Sequence, residues 1–355
     1  MTWNFFNPVK IRFGWGCAAD TADFVRELGA KRAALVADPA ALRFGLTDLV
    51  TAPAPQLFVT DEIFARMQPN PTVQNMMDCA AFLARVKADA VVAVGGGSAL
   101  DCAKAAAGPL PVIALPTTAG TGSEATCISV LTDDAGQKIP RTDPAYYAAA
   151  ALVDPQLTLT VPPGVTAATG MDALSHAVEA LWSIHHSPAS DALALAAVPR
   201  ILQNIEAACA RPDDRAARTA MSEGSLLAAL AFSQAKTAAA HACSFSLTMR
   251  YGLPHGTACA FTLPALCRLN SQAENGRFHE IARELGFGDA LAFADELDRL
   301  NAALGLPRTL EDAGIPLSDL PDLAQECMVP PNMRNNPVPM DAAAVERLFF
   351  GLNDV

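Results

Sequence analysis

Four side chains in the sequence have the types and spacing of ligands for one divalent metal ion. Asp172 and His176 stand four positions apart in "TGMDALSHAVEALW", so on a helix both side chains share one face, about 6 Å apart. His241 and His255 follow in "KTAAAHACSFSLTMRYGLPHG". One carboxylate and three imidazoles suit Fe²⁺ or Zn²⁺ and leave a coordination position for a substrate oxygen. The quartet predicts a metal centre, although histidines in apolar helices are more often ordinary core residues.

A glycine-rich segment directly after an apolar run is the second candidate for chemistry. In "VVAVGGGSALDCAKAAAG", Gly95, Gly96, Gly97 and Ser98 separate a strand-like run from a helical pattern. Glycines let the backbone approach an anion closely, and the free N–H groups at the following helix start point at it. The segment predicts a pyrophosphate-binding loop. It is neither G-x-G-x-x-G nor a Walker A sequence, and a simple tight turn is the alternative.

A second polar loop, "PTTAGTGSE", follows the next apolar run and supplies the hydroxyl groups of Thr117, Thr118 and Ser123. Two such loops at neighbouring strand ends favour a dinucleotide as the ligand. Asp38 ends the run "RAALVAD", where a carboxylate would accept hydrogen bonds from a ribose diol and repel a 2′-phosphate, which favours NAD(H) over NADP(H). The alternative is that Asp38 caps the helix that follows.

The elements that must position these residues follow from the hydrophobic pattern. Up to about residue 160, the β-rich runs "RAALVAD", "QLFVTD", "DAVVAVGG" and "PVIALPTT" alternate with amphipathic segments, which predicts a parallel sheet with crossover helices. After "VDPQLTLTVPPGVTAATG" the strand-like runs end and Ala- and Leu-rich helical patterns dominate. We predict an α/β Rossmann-like domain over 1–163 and an all-helical domain over 164–355. In the second, 225–251 is expected to form one buried helix, and Glu179 to be solvated or structural.

Composition and charge exclude several classes of function. The formal net charge of −12 provides no electrostatic footprint for nucleic acid or an anionic membrane. No segment reaches the roughly 18 uninterrupted apolar residues of a membrane span, and the N-terminus lacks a secretory pattern, so we expect a cytoplasmic protein. The nine cysteines form no C-x-x-C pair and are expected to be reduced, buried thiols. A ligand role for Cys243 or Cys259, which lie near the histidines, is the less favoured alternative.

Five segments in this order, "GGGSALDCAK", "PTTAGTGSEAT", "VDPQLTLTVPP", "GMDALSHAVEA" and "LPHG", resemble the iron-containing (group III) alcohol dehydrogenases. The resemblance implies the fold that this family shares with dehydroquinate synthase, a Rossmann-like domain followed by an all-helical domain. It implies that residues 95–98 bind the pyrophosphate and that Thr117, Thr118 and Ser123 lie nearby. It also implies that the cofactor is flanked by Asp101, Lys138 and Leu157. The metal ligands it implies are Asp172, His176, His241 and His255, with turnover expected to depend on His255.

One position departs from the family pattern. Many members carry a further histidine four residues beyond the position of His241, close to the nicotinamide, and this chain has Phe245 there. A protonic role of that histidine cannot be carried over. The cofactor ribose, a metal-bound water or Ser244 are the proton carriers that remain.

The segment from Phe232 to Gly256 is similar to a branch of the family that reduces phosphonoacetaldehyde to 2-hydroxyethylphosphonate, since it has the Ser-x-x-Lys-Thr lead and ends in "YGLPHG". Lys236 inside an otherwise apolar helix would need an anionic partner or a route to water. A phosphonate dianion would be such a partner, and a nearby carboxylate or solvent is the alternative. Arg250 is a further candidate for the anion, or else complements a helix dipole.

The function expected is hydride transfer between NAD(H) and a small aldehyde or alcohol by a homodimer that holds one Fe²⁺ or Zn²⁺, with a phosphonate-bearing aldehyde as the favoured substrate. A short-chain alcohol dehydrogenase without phosphonate preference is the first alternative. A dehydroquinate synthase-like lyase is less favoured, because the chain is poor in the basic residues that a phosphorylated sugar would need. A sensor without catalysis would have no need of an open metal site.

Overall fold

The computed structural model describes residues 2–134, 136–273 and 275–353. They form two compact units, which we describe separately. The sheet unit comprises Phe6–Val161 and Pro212–Leu226. The helical unit comprises the described residues of Met1–Phe5, Pro162–Arg211 and Leu227–Val355. The domain boundary between 163 and 164 stays a prediction.

The sheet unit is built around eight strands within the described residues: β1 Lys10–Phe13, β2 Ala33–Ala37, β3 Phe58–Phe64, β4 Ala90–Gly95, β5 Val112–Pro116, β6 Ile128–Thr132, β7 Lys138–Thr142 and β8 Ala150–Val153. Six of them form one sheet in the order β1-β8-β5-β4-β2-β3, with every pairing parallel. β6 and β7 form a separate antiparallel pair. The four predicted apolar runs coincide with β2 to β5, which confirms the parallel α/β arrangement.

The helices of the sheet unit cover both faces of this sheet. They are α1 Thr21–Glu27, α2 Pro39–Arg43, α3 Leu46–Thr51, α4 Val73–Arg85 and α5 Gly97–Ala106. Every residue of β2, β4 and β5 is buried, because a parallel sheet with helices on both faces buries both sets of its alternating side chains. The carboxyl ends of β4 and β5 lead directly into the two predicted loops.

Beyond Val153 the described residues contain helices and no strand, so the predicted all-helical second part is confirmed. The helices are α6 Pro163–Trp182, α7 Pro188–Leu202, α8 Ile205–Ala210, α9 Arg215–Ala235, α10 Ala239–Tyr251, α11 His255–Asn270, α12 Arg277–Glu284, α13 Ala290–Ala303, α14 Leu320–Cys327 and α15 Ala342–Phe350. α6, α10 and α11 pack against one another. These three helices carry the four predicted metal ligands.

The prediction of one helix over 225–251 is wrong, because the chain breaks between α9 and α10. Lys236 has a left-handed backbone with φ of 67° and its side chain is exposed, rather than enclosed in an apolar helix. Side chains distant in sequence hold the break. The Ser183 hydroxyl donates to the Ala235 carbonyl at 2.5 Å, and the Asn335 amide donates to the Thr237 carbonyl at 2.7 Å. These carbonyls are therefore satisfied without a continuous helix.

Candidate active site

A tight turn and a close helix contact bring His255 beside α6. α10 ends at Gly252, whose φ of 71° is the left-handed conformation that glycine adopts readily, and α11 begins at His255 itself. At Gly256 the two helices touch. A Cβ there would lie 1.9 Å from the Ala168 carbonyl oxygen and 2.9 Å from the Asp172 Cβ. The glycine of "LPHG" is thus what allows α11 to reach the helix that carries Asp172.

Three of the four predicted ligands point at one place. The Asp172 Oδ1 lies 3.5 Å from the His241 Nε2 and 3.7 Å from the His255 Nε2. Asp172 and His241 are buried, and neither Oδ1 of the first nor Nε2 of the second has a hydrogen-bond partner among the described residues. Burial would raise the pKa of Asp172, but the charges of His176, His255 and His241 outweigh it and hold the pKa well below its usual range.

His176 lies at the edge of this cluster. Its ring is stacked between the ring of Phe232, at a centroid distance of 4.0 Å, and the ring of His241, at 4.2 Å. The ring orientation of His176 is therefore fixed by packing on both faces. Its charge is the strongest of those that lower the pKa of Asp172.

Glu179 is completely buried, so of the two expectations, solvated or structural, the second holds. Its Oε2 faces the His241 Nδ1 at 2.5 Å, and its carboxylate accepts the N–H groups of Ala238 at 3.0 Å and Ala240 at 2.6 Å. An ionised carboxylate accepts hydrogen bonds only, so the Nδ1 of His241 carries the proton. On the neutral ring that a metal ion would require, the Nε2 lone pair is then directed towards Asp172.

Ser244 fixes the other histidine in the same way. Its hydroxyl donates to the His241 carbonyl at 2.8 Å, which uses its single hydrogen. Its oxygen lies 3.1 Å from the His255 Nδ1 and therefore accepts from that nitrogen. On a neutral ring the Nε2 lone pair of His255 then lies on the side of Asp172, 3.7 Å from its Oδ1. This arrangement gives Ser244 a positioning role. The His255 ring is also held by the Phe245 ring, which stacks on it at a centroid distance of 6.1 Å.

A cysteine completes the cluster. Donor atoms of Asp172, His241, His255 and Cys259 all lie within 4.8 Å of one another. Burial raises the pKa of the Cys259 thiol, while the charge of His241 opposes the rise. Cys243, in contrast, has its pKa raised first by a hydrogen bond with Cys327 and then by burial. Of the two cysteines considered from the sequence, the structure brings Cys259 to the site.

The donor atoms fit a divalent metal ion. Buried carboxylate and imidazole atoms without hydrogen-bond partners in the described chain are costly unless a cation satisfies them. Both histidine tautomers are also set with Nε2 facing the shared point. That Asp172, His176, His241 and His255 are together the ligands stays a prediction.

The predicted pyrophosphate loop lies between β4 and α5. The amide N–H groups of Gly97 and Ser98, at the start of α5, have no acceptor within the part of the chain that the structure describes, which suits an anion. Gly95 and Gly97 are also needed for packing. A Cβ on Gly95 would lie 2.6 Å from that of Ala99, and one on Gly97 would lie 2.7 Å from a Thr121 methyl group.

Asp38 acts as the helix cap that was the alternative to a ribose contact. Its Oδ1 accepts the Ala41 N–H at 2.6 Å, and its Oδ2 accepts the Gly96 N–H at 3.0 Å. The second bond occupies one backbone donor of the glycine loop. Each oxygen of the carboxylate can accept a further hydrogen bond. A contact between Asp38 and a ribose therefore stays a prediction.

The other predicted cofactor residues have partners inside the sheet unit. The Ser123 hydroxyl donates to the Asp101 Oδ1 at 2.5 Å, so these two tie the loop 116–124 to α5. Thr117 is buried and its N–H donates to the Gly95 carbonyl at 3.0 Å, while the side chain of Thr118 lies 3.6 Å from the position of a Cβ on Gly96. Of the other two residues, Lys138 begins β7. The Leu157 side chain lies in the apolar core. A cofactor contact of Leu157 would have to come from its backbone.

A buried ion pair beside the second loop was missed in the sequence. The Lys104 ammonium donates to the carbonyls of Ser123 at 2.8 Å and Ile128 at 2.5 Å and lies 3.5 Å from Asp101. Glu124 is buried nearby, and burial raises its pKa to about 7, a rise that Lys104 opposes. The acidic residue of "GTGSE" gave no sign of burial, since glutamate is usually exposed.

Replacing Glu124 by glutamine should stabilise the protein at alkaline pH. The folded protein keeps the Glu124 proton up to about pH 7, whereas the unfolded chain releases it near 4.5. Between these values the folded state binds more protons, so stability falls as the pH rises. Glu124→Gln removes this loss, and calorimetry should show a gain of up to roughly 3 kcal/mol at about pH 8 and none at about pH 4.

Glu62→Gln is the control, because the hydrogen bond from Arg85 lowers the pKa of Glu62. Removing the charge of Glu62 should therefore not stabilise the folded protein. An equal gain for Glu124→Gln at both pH values would show that burial of its charge is not the cause.

Arg250 is not available as a simple anion site. Its guanidinium pairs with Asp319 at 3.0 Å and with Glu326 at 3.2 Å. These carboxylates compete with any substrate anion. Of the two basic residues considered for a phosphonate, the exposed Lys236 has the freer ammonium.

Comparison with protein families decides the relationship. The model of the family "Iron-containing alcohol dehydrogenase" matches residues 8–155. The model of the C-terminal part of the Fe-containing alcohol dehydrogenase family matches residues 166–351. The chain belongs to the iron-containing alcohol dehydrogenase family. It is therefore an NAD(P)-dependent oxidoreductase, and the fold inferred from its motifs is confirmed.

Relatives of this alcohol dehydrogenase cover nearly its whole length. Long-chain-alcohol dehydrogenase 1 of Geobacillus thermodenitrificans is 36% identical, over 96% of this chain and 94% of the relative. NAD-dependent methanol dehydrogenase of Bacillus methanolicus is 33% identical, over 94% and 95%. The crystal structure of sulfoacetaldehyde reductase from Bifidobacterium kashiwanohense in complex with NAD⁺ is similar with a TM-score of 0.96 and 37% identity, covering 100% of both chains. Among the described helices of this family member, none is long and apolar enough to cross a membrane.

Proposed function

We propose that the protein reduces a small aldehyde that carries an acidic head group, with phosphonoacetaldehyde as the substrate and 2-hydroxyethylphosphonate as the product. The observation that carries the reaction type is the cluster of Asp172, His241 and His255, whose donor atoms face one point. A divalent ion held at this point would bind the carbonyl oxygen of the substrate.

The chain's own residues prepare this site for the reaction. When bound, a divalent ion at the cluster would polarise the carbonyl, and NADH would supply the hydride. Glu179 and Ser244 hold the two imidazoles in the tautomers that present Nε2. Phe245 stacks beside His255. The side chain at position 245 therefore has no titratable group that could exchange a proton there.

The head group of the substrate is inferred from two observations. The similar sulfoacetaldehyde reductase structure is that of an enzyme named for a two-carbon aldehyde with a tetrahedral oxyanion, the class to which a phosphonate also belongs. In this chain Lys236 extends into solvent from a left-handed position just before the helix that bears His241. Left-handed non-glycine residues are strained and concentrate at functional sites.

Finer features of the enzyme are inferred with the same proposal. Asp38 at the end of β2 supports NAD(H) over NADP(H), because a carboxylate repels a 2′-phosphate. The donor set suits one Fe²⁺ or Zn²⁺. We infer a homodimer that acts in the cytoplasm. A general alcohol dehydrogenase is the second candidate, favoured by the 36% identity with a long-chain-alcohol dehydrogenase.

NADH oxidation by Fe²⁺- and Zn²⁺-loaded enzyme tests the proposal, with phosphonoacetaldehyde, sulfoacetaldehyde, glycolaldehyde and butyraldehyde as substrates. Lys236→Gly suits the left-handed backbone and removes the ammonium. We expect KM for phosphonoacetaldehyde to rise about tenfold or more, because a charge-assisted hydrogen bond contributes roughly 1.5–3 kcal/mol. KM for butyraldehyde should not change.

Lys87→Gly is the matched control, since Lys87 is another left-handed lysine, with φ of 52°, in the sheet unit. Better turnover of butyraldehyde than of either acidic aldehyde would contradict the substrate class. A preference for sulfoacetaldehyde would assign the sulfonate instead of the phosphonate. No NADH oxidation with any aldehyde would contradict the reductase itself.

A further inference from the structure

Cys259 lies one helical turn after His255 on α11, completely buried. The i, i+4 spacing places its sulfur on the same helix face as the His255 ring. Its Sγ shares one cluster with donor atoms of Asp172, His241 and His255, all within 4.8 Å of one another. Donor atoms this close together are candidate ligands of one divalent ion.

Two neighbouring atoms show that the cluster is arranged for a ligand. The Asp172 Oδ1 and the His241 Nε2 are buried and have no hydrogen-bond partner among the described residues. The Asp172 Oδ1 and the His241 Nε2 can thus both bind a cation placed beside Cys259. His176, in contrast, is not among the residues whose donor atoms meet the common distance, and its ring is stacked between Phe232 and His241.

We propose that the Cys259 sulfur is a ligand of the divalent metal ion, an inference that rests on the metal dependence in the proposed function. On binding, the S–H bond breaks, the proton leaves to solvent and the sulfur donates an electron pair to the ion, with no change of oxidation state. A thiolate is a soft ligand and favours Zn²⁺ over harder ions. The enzyme should accordingly retain Zn²⁺ more strongly than a site of carboxylate and imidazoles alone.

Cobalt substitution of the full chain tests this ligand without an activity assay. Co²⁺ gives visible d–d bands wherever it binds in such a site, and a near-ultraviolet sulfur-to-cobalt charge-transfer band only when a thiolate coordinates it. We expect both in the wild-type protein. Cys259→Ser should keep the d–d bands and lose the charge-transfer band.

Cys243→Ser is the matched control, since Cys243 is also buried and lies on α10 beside His241, with Cys327 as its partner. It should keep both bands. Cobalt d–d bands in the wild type without charge transfer, or a charge-transfer band that survives in Cys259→Ser, would overturn the proposal. Cys259→Ala serves as a second variant, and the wild-type spectrum decides the matter if neither variant folds.

The absence of all cobalt bands would remove the metal centre and, with it, both this ligand and the proposed function. Cobalt bands without charge transfer, together with NADH-dependent turnover, would leave the proposed function intact and refute the cysteine ligand alone. The two failures are therefore distinguishable.

Discussion

Gly256→Ala should abolish metal binding and reduce stability by about 3 kcal/mol, at the upper end of what overpacking costs. The added Cβ would lie 1.9 Å from the Ala168 carbonyl oxygen and 2.8 Å from its carbon. These are backbone atoms of α6 and cannot rotate away, so α11 must shift from α6. Since Asp172 and His255 lie on these two helices, the shift separates their donor atoms. Zinc titration and thermal unfolding measure the two effects.

Gly164→Ala is a close control for this substitution. Gly164 is the second residue of α6, as Gly256 is of α11, and nothing lies within 4 Å of a Cβ placed on it. Alanine there should be neutral or slightly stabilising, because it favours helix. If Gly256→Ala bound zinc as tightly as Gly164→Ala, the close contact would not determine the site.

The parallel sheet could be predicted from the sequence because its central strands are continuous apolar runs. β2, β4 and β5 are buried on both faces and have the composition that such strands require. β1 was missed because "KIRF" is short and lies at the sheet edge. β8 was missed because "AALV" is as compatible with a helix as with a strand.

The break before α10 could not be predicted. Ala, Lys and Thr are all tolerated in helices, so the local sequence "AKTAAA" favours a continuous one. The break is instead held by Ser183 and Asn335, which lie far away in the sequence. Tertiary hydrogen bonds thus overrode the local preference.

The sequence does contain a pattern that indicates a role of Glu179 near the metal ligands. Asp172, His176 and Glu179 stand at i, i+4 and i+7 on α6, a spacing that returns to the same helix face. The pair Asp172 and His176 by itself predicts a metal-binding face and no partner for Glu179. Its partner, the N-terminus of α10, depends on the unpredicted break.

That break makes Glu179 the residue whose substitution should affect metal binding most selectively. Glu179 accepts the N–H groups of Ala238 and Ala240 and the Nδ1–H of His241. One carboxylate therefore both caps α10 and fixes the tautomer of a predicted metal ligand. In Glu179→Gln one of the two oxygens becomes an NH₂ group that faces a donor.

We expect Glu179→Gln to bind zinc about 10- to 100-fold more weakly, because partners that orient a ligating histidine contribute on this scale. Competition with a chromophoric chelator measures the affinity, and circular dichroism reports whether the fold is kept. The physical reason is specific to His241, since its Nδ1–H would lose a full carboxylate acceptor and its Nε2 would present a lone pair in fewer molecules.

Asp154→Asn separates this effect from general destabilisation. Asp154 is also buried, and its carboxylate accepts the N–H groups of Gly16, Ala18 and Gln156 in the sheet unit. Within the described residues, no histidine ring donates to it. Its substitution should lower the unfolding temperature and leave zinc affinity unchanged. If Glu179→Gln lowered the unfolding temperature in the same way but bound zinc like the wild type, Glu179 would be a helix cap alone.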